Sequence, residues 1–286
     1  MGNSGEKQRV SKKNLFYKRI VKYITIITFC KPLDIVCDTR RQGQIMKSYV
    51  IHLLRHGTSE GNLQGQYIGR TDSPLSAEGK RALLQLKAEG SYPKADAYFS
   101  SPLSRCVDSL KILYPEAKPV LVDGFRETDF GAWEGKTAAQ LQAEDPRFSA
   151  WMQGKGEPVT PPGGEDGAAF MHRVCAAFEQ FVQDRMRDGV TSAVVMTHGG
   201  VLMTILAAYG LPRARFYDWM TESGCGYSLR ITPGLWMRSM VAEVYGTLPV
   251  LPDSGKAQRE YTVMDTARAA ADLLWRETPE EPKKED

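Results

Sequence analysis

The stretch Ser48-Tyr49-Val50-Ile51-His52-Leu53-Leu54-Arg55-His56-Gly57-Thr58 changes character within one residue. Through Leu54 it is a short apolar run rich in β-branched and aromatic side chains, the pattern of a buried strand. At Arg55-His56-Gly57 it becomes polar, and the glycine permits a sharp turn. Arg55 and His56 are therefore expected at the end of a strand running from Ser48 to Leu54. The same pattern recurs twice. Ala97 to Ser100 reads as a strand closed by Ser101-Pro102, cap and first residue of a helix that carries Arg105 on its first turn and Leu103, Val107 and Leu110 on its apolar face. Ser192 to Thr197 ends in His198-Gly199-Gly200 ahead of a helix with Val201, Leu202, Ile205 and Leu206 inward. Between the first two strands, Ser76 is placed to cap a helix bearing Leu83 and Leu86. Strand, loop and helix in repetition predict an α/β fold, a three-layer sandwich whose mostly parallel central sheet is flanked by helices. A ligand would lie beyond the carboxyl ends of its strands.

Composition sets the boundaries. The chain has 286 residues, 42% of them hydrophobic, enough for one substantial α/β core. Residues 1–47 hold 11 Lys and Arg against 3 Asp and Glu; residues 48–286 hold 26 against 31, a net −5. The basic character thus belongs to the N-terminal segment, and a catalytic region of net negative charge argues against nucleic acid as a partner. Five scattered cysteines, at 30, 37, 106, 175 and 225, lack the paired spacing of a disulfide framework or zinc site and suit a reducing cytoplasm. The apolar run Tyr23 to Cys30 is far shorter than the roughly 20 residues that span a bilayer. Residues 1–47 read as a basic N-terminal extension, with Met46 the expected native start and a membrane-surface arm the alternative. Residues 48–250 form the main domain. Residues 131–168, rich in Gly, Pro and Trp with little periodicity, are expected to cap the site. Residues 251–286 comprise one helix, Tyr261 to Trp275, and a charged tail.

The chemistry follows from residues at strand ends. Adjacent strands would bring Arg55, His56 and His198 together, and Arg105 can join them from its helix. Cationic and donor groups around one imidazole match the three equatorial oxygens of a phosphoryl group in transfer. His56 is the natural nucleophile, because neighbouring arginines disfavour imidazolium and keep a lone pair available. Other histidines have plainer roles: His52, inside the strand, fills a face of it, and His172 lies on a helix surface. The run Gly131-Ala-Trp-Glu-Gly135-Lys136-Thr137 imitates a phosphate-binding loop, but Phe130 stands where its first glycine belongs and no buried strand precedes it. Gly2 is no myristoylation signal, since Glu6 stands where Ser or Thr is required.

Five ordered blocks resemble the histidine phosphatase superfamily, the phosphoglycerate mutase-like fold. They are Leu54-Arg55-His56-Gly57-Thr58 with Asn62, Gly69 to Ser76 with Gly79, Ser100 to Arg105, Glu127 to Gly135, and Thr197-His198-Gly199-Gly200. The resemblance implies that His56 is phosphorylated and that Glu127 protonates the leaving oxygen, then activates water; Asp129 and Glu134 compete for that role. It implies phosphate binding by Arg55, Asn62, Arg105 and His198, with Thr58, Gly69 and Gly199 as further contacts, and requires neither metal nor cofactor. Residues 128–170 hold Lys136, Arg147 and Lys155 among several carboxylates and aromatics. That composition favours a bulky leaving group of low charge over the polyanion a mutase must retain. Within the family, the segments around Trp133, Trp151, Gly163 to Glu165 and Ser223 to Gly226 are most similar to α-ribazole phosphatases of cobalamin synthesis. A broad-specificity small-molecule phosphatase, or a mutase-like phosphotransferase, is the runner-up. A non-catalytic phosphate-binding module is the reading from another class. The expected partner is a small phosphomonoester, and a homodimer stays open.

Overall fold

The computed structural model describes residues 48–153 and 158–251. The expected extension at 1–47, the Tyr261 to Trp275 helix and Lys155 lie outside the described residues. The strands are β1 (Tyr49–Arg55), β2 (Ala97–Ser100), β3 (Val120–Leu121), β4 (Ser192–Thr197), β5 (Gly210–Leu211), β6 (Gly226–Ile231) and β7 (Ala242–Leu248). They form a 7-stranded sheet in the order β3-β2-β4-β1-β6-β7-β5. Only β6 runs against its neighbours β1 and β7; the other pairings are parallel.

Helices cover both faces, and the period-2 alternation of the central strands assigns each side chain to a layer. Ile51, Leu53, Ala193 and Val195 meet helices α6 (Gly167–Asp188) and α7 (Gly199–Tyr209), with Phe170, Val174, Phe178, Ile205 and Leu206 in the same cluster. Leu54, Val194 and Met196 point the other way, onto Leu83 of α2 (Ala77–Glu89) and Cys106, Leu110 and Leu113 of α3 (Ser104–Leu113). A short α1 (Glu60–Leu63) and α8 (Pro233–Ser239) complete the flanks. The three-layer α/β sandwich is thus as the sequence predicts, with Ser76 capping α2 through Gly79 N–H.

Four details differ from the sequence reading. Strands β3, β5, β6 and β7 gave no signal: two are only two residues long, and the others carry polar residues at inward positions, such as Ser228 and Glu243. Ser101 does not cap α3, which begins at Ser104 after Leu103. The buried stripe of α3 runs through Cys106, Leu110 and Leu113 while Val107 is half-buried. Segment 131–168 is more helical than its composition suggests, holding a turn at Gly131–Trp133, α4 (Ala138–Glu144) and α5 (Pro146–Gln153). A Thr137–Gln140 capping box starts α4, and Trp133, Leu141 and Phe148 form a small core of their own with Tyr67, Phe130 and Trp151 around it.

Candidate active site

Strands β1 and β4 are parallel neighbours with Arg55 opposite Thr197. Register therefore sets the next residues, His56 and His198, side by side, with ring centroids 5.0 Å apart. Both are buried. His56 Nδ1 lies 2.6 Å from the Gly57 carbonyl, which can only accept, so Nδ1 carries the proton and the lone pair belongs to Nε2. The Nε–H of Arg105 approaches that Nε2 at 3.3 Å. Burial, then the Arg105 and Arg55 charges, push the His56 pKa down to about 3, so the ring is neutral. His198 shares a 2.8 Å hydrogen bond with Ser101 Oγ through Nε2, and burial followed by the neighbouring His56 holds its pKa well below the usual histidine value.

The two arginines are fixed differently. Arg105, 1% exposed, also donates to the carbonyls of Thr71 and Gly69 at 2.9 and 2.7 Å, spreading all three nitrogens over separate acceptors. Arg55 donates through Nη1 to the Thr221 carbonyl at 2.6 Å, and its buried Nε–H has no protein partner. Buried polar groups are nearly always satisfied, so an unpaired cationic donor that lies against Gly199, next in the chain to His198, fits an anionic oxygen.

Glu127 completes the cluster. Its Oε2 accepts from Gly200 N–H at 2.9 Å and its Oε1 from Thr128 N–H at 2.9 Å. Its charge acts on both Arg55 and Arg105. The rival carboxylates are engaged elsewhere: Asp129 accepts from Gly131 N–H, and Glu134 from the amides of Gly69, Arg70, Thr71 and Phe130 at 2.9–3.1 Å. A Cβ on Gly200 would lie 2.4 Å from Glu127 Oε1. Gly200→Ala should therefore displace the carboxyl and lower kcat about 10- to 100-fold, the usual result of ångström-scale misplacement, with the melting temperature nearly unchanged. Wild-type kcat in that variant would show that Glu127 has no fixed position to lose.

The remaining residues singled out from sequence have their polar groups partly committed within the fold. Asn62 Oδ1 accepts from Ser59 and caps α1. Thr58 accepts from Ser76 through its carbonyl. The amide of Gly69 goes to Glu134 and its carbonyl to Arg105, and a Cβ there would overlap the Thr128 carbonyl at 1.7 Å, so the backbone approach admits only glycine. At the start of α7, Gly199 lies against the Arg55 guanidinium, whereas the amide of Gly200 serves Glu127. Sequence reading missed Ser101, the partner of His198, and Ser109, whose Oγ accepts from Gly57 N–H at 2.8 Å and donates to the Arg105 carbonyl. Both lie in or beside the Ser100 to Arg105 block, but nothing local distinguishes a serine that orients a ring from one on a surface. His52, as expected, fills its strand face, bonded to Ser228 and pushed down to about 4 by burial, while His172 is exposed.

Three buried neutral histidines make stability depend on acid. Their folded pKa values lie below the unfolded value, so the unfolded chain binds protons first. Stability is complete above about pH 6.5 and is lost as pH falls toward 4, by up to about 1.4 kcal/mol per pH unit for each ring. Urea titrations at pH 7.5, 6 and 5 should show this decline, and flat stability over that range would mean the rings are not held neutral.

An α/β sheet that gathers two arginines, two neutral imidazoles and a carboxyl at its carboxyl edge defines an enzyme that handles phosphoryl groups. The chain belongs to the histidine phosphatase superfamily (branch 1), whose profile matches residues 51–242, and it is a phosphatase-type enzyme. It is 27% identical over 205 residues to the adenosylcobalamin/alpha-ribazole phosphatase of Escherichia coli K12, covering 70% of this chain and 93% of that one. It is 30% identical over 177 residues to the 2,3-bisphosphoglycerate-dependent phosphoglycerate mutase of Rhizobium etli, covering 58% and 81%. A crystal structure described as a putative alpha-ribazole-5'-P phosphatase from Escherichia coli shares the fold, with a TM-score of 0.57 at 22% identity over 68% of this chain and 94% of that one. Among the described residues no helix is long and apolar enough to cross a membrane.

Proposed function

We propose that this protein hydrolyses a small phosphomonoester in two steps through a phosphohistidine at His56. The observation that carries the reading is the fixed tautomer of His56: Nδ1–H bound to the Gly57 carbonyl and a neutral, lone-pair-bearing Nε2 beside Arg105. In the first step Nε2 bonds to phosphorus as the bond to the ester oxygen breaks, and Glu127 gives that oxygen its proton. In the second, water attacks phosphorus, Glu127 takes the water proton, and the N–P bond breaks to restore neutral His56. Arg55, Arg105 and neutral His198 hold the phosphoryl oxygens, with Asn62 and Thr58 at the rim. These donors supply the charge compensation that a metal ion provides in other phosphatases, so release persists in chelator.

The leaving group we propose is bulky, ring-bearing and of low charge, with α-ribazole 5′-phosphate as the specific substrate. Among the described residues of segment 131–168, the cations supporting this are paired, Lys136 with Glu144 at 2.6 Å and Arg147 with Asp145 at 2.8 Å. Tyr67, Phe130 and Trp151 form an aromatic group edge-to-face. A cavity of about 470 Å³ beside Thr58 includes Glu89, Glu222 and Ser223 in its lining and no Lys or Arg. The named Escherichia coli relative adds to the case. Phosphate release from α-ribazole phosphate, p-nitrophenyl phosphate and 3-phosphoglycerate, with chelator present, tests both parts. Strong preference for α-ribazole phosphate supports the substrate; equal rates on all three replace it with the broad phosphatase. Conversion of 3-phosphoglycerate to its 2-isomer would make the protein a mutase.

A further inference from the structure

Segment 123–128, which carries Glu127, contains a single turn at Asp123–Phe125 and no strand, so its carbonyls need partners from elsewhere. Two side chains supply them. Thr197 Oγ1 donates to the Phe125 carbonyl at 3.0 Å. Arg173, on α6, donates through Nη1 to the carbonyls of Gly124 and Arg126, both at 3.0 Å, and through Nη2 to that of Glu127 at 3.4 Å. The same guanidinium is gripped in a fork by Glu165, with Nε to Oε1 at 2.8 Å and Nη2 to Oε2 at 2.7 Å, and its Cζ lies 5.3 Å from the Phe170 ring centroid. Glu165 is tied back to the segment through its own amide, which donates to the Asp129 carbonyl at 2.8 Å. Close passage of Gly164, where a Cβ would meet that carbonyl at 2.5 Å, keeps the two loops in contact. Both charged side chains are largely shielded, at 22% and 14% exposure, so the pair is held in one geometry rather than solvated as a surface pair would be.

We infer that Arg173, aligned by Glu165, is a positioning residue for Glu127: it fixes the place of the acid–base carboxyl by gripping the backbone on which that carboxyl stands. The inference rests on the phosphohistidine reading above. Its consequence is selective. Protonation of the leaving oxygen matters for an alkyl alcohol, which departs poorly as an anion, and hardly at all for p-nitrophenolate. Activation of water matters for every substrate, but only after the phosphoenzyme has formed. A protein in which Glu127 has drifted should therefore phosphorylate His56 normally from p-nitrophenyl phosphate and then stall.

The test uses the full-length chain carrying Arg173→Met or Glu165→Gln, with kcat/KM measured on p-nitrophenyl phosphate and on a simple alkyl phosphate, together with the pre-steady-state release of p-nitrophenolate. The expected result for Arg173→Met is a loss of about 100-fold on the alkyl ester and less than about 3-fold on the aryl ester, the range assigned to one general acid. A burst approaching one p-nitrophenolate per site should appear, larger than that of the wild type. Glu165→Gln, which keeps the side-chain shape, should show the same selectivity at smaller size, and it decides the matter if Arg173→Met does not fold. Equal losses on both esters, or no loss on either, overturn the positioning role while leaving the hydrolase reading intact. A wild type inactive on both esters, or an undiminished rate in His56→Ala, overturns that reading and this inference together.

Discussion

His56→Ala should bring phosphate release to background, a loss of about 10⁴-fold or more on every substrate, because it removes the atom to which phosphorus bonds in the mechanism we propose. Removing a neighbouring donor leaves a slower route; removing Nε2 leaves none within this site. The fold should survive, since the backbone on either side is held independently of the ring, Arg55 N–H by the Cys225 carbonyl and His56 N–H by that of Thr197, both at 2.9 Å. In the wild type, rapid acid-free quenching with labelled substrate should trap a phosphoryl group that survives alkali and is lost in acid, the behaviour of a phosphoramidate, and His56→Ala should trap nothing. Turnover that survives the substitution would require a different nucleophile. A trapped phosphate stable to acid would point the same way.

Arg105→Ala should cost about 10³-fold in kcat/KM, more than a single lost charge, because three functions end at once. The guanidinium faces Nε2 of His56 and holds the 69–71 loop through the Thr71 and Gly69 carbonyls, and in the proposed mechanism it also compensates charge on the phosphoryl oxygens. Arg105→Lys should recover little, since one ammonium cannot reach three acceptors in a planar fork. The pH profile separates these functions. Burial leads in depressing the His56 pKa to about 3 and the Arg105 charge comes second. Without that charge the ring protonates at higher pH, so the acidic limb of kcat/KM should shift upward in Arg105→Ala and stay low in Arg105→Lys. An unmoved acidic limb would mean that the guanidinium does not govern the nucleophile.

Much of this was legible in the sequence because it depends on local pattern. Apolar runs ending abruptly in Arg55-His56 and in His198 mark strand ends, and Gly57 and Gly200 mark the turns that follow. Helices α2 and α7 announced themselves through a serine cap in one case and a continuous inward face in the other. What escaped was short or determined from outside. Strand β3 has two residues and exists because Phe99 and Ser100 offer it an edge. Helices α4 and α5 have 7 and 8 residues, too short for periodicity to stand out, and they are held by the Trp133, Leu141 and Phe148 cluster. Ser101 looked like a helix cap, yet its hydroxyl meets a histidine 97 residues away.

By itself, then, the sequence determined the α/β class, the three layers, and which residues would stand at the carboxyl edge, since alternation and punctuation act over a few residues. Only the tertiary structure showed how each candidate carboxylate is held. Glu127, Asp129 and Glu134 lie within eight positions, and only resemblance singled out Glu127 among them; in the fold Glu127 meets the amide of Gly200, while four amides enclose Glu134 and Asp129 closes its own turn. Likewise the Nε2 lone pair of His56 follows from one carbonyl at 2.6 Å and from burial, and the grip of Arg173 on the Glu127 backbone from a contact spanning 46 residues. Proton position and carboxyl placement depend on groups distant in the chain, which become neighbours only when β1, β4 and α6 pack together.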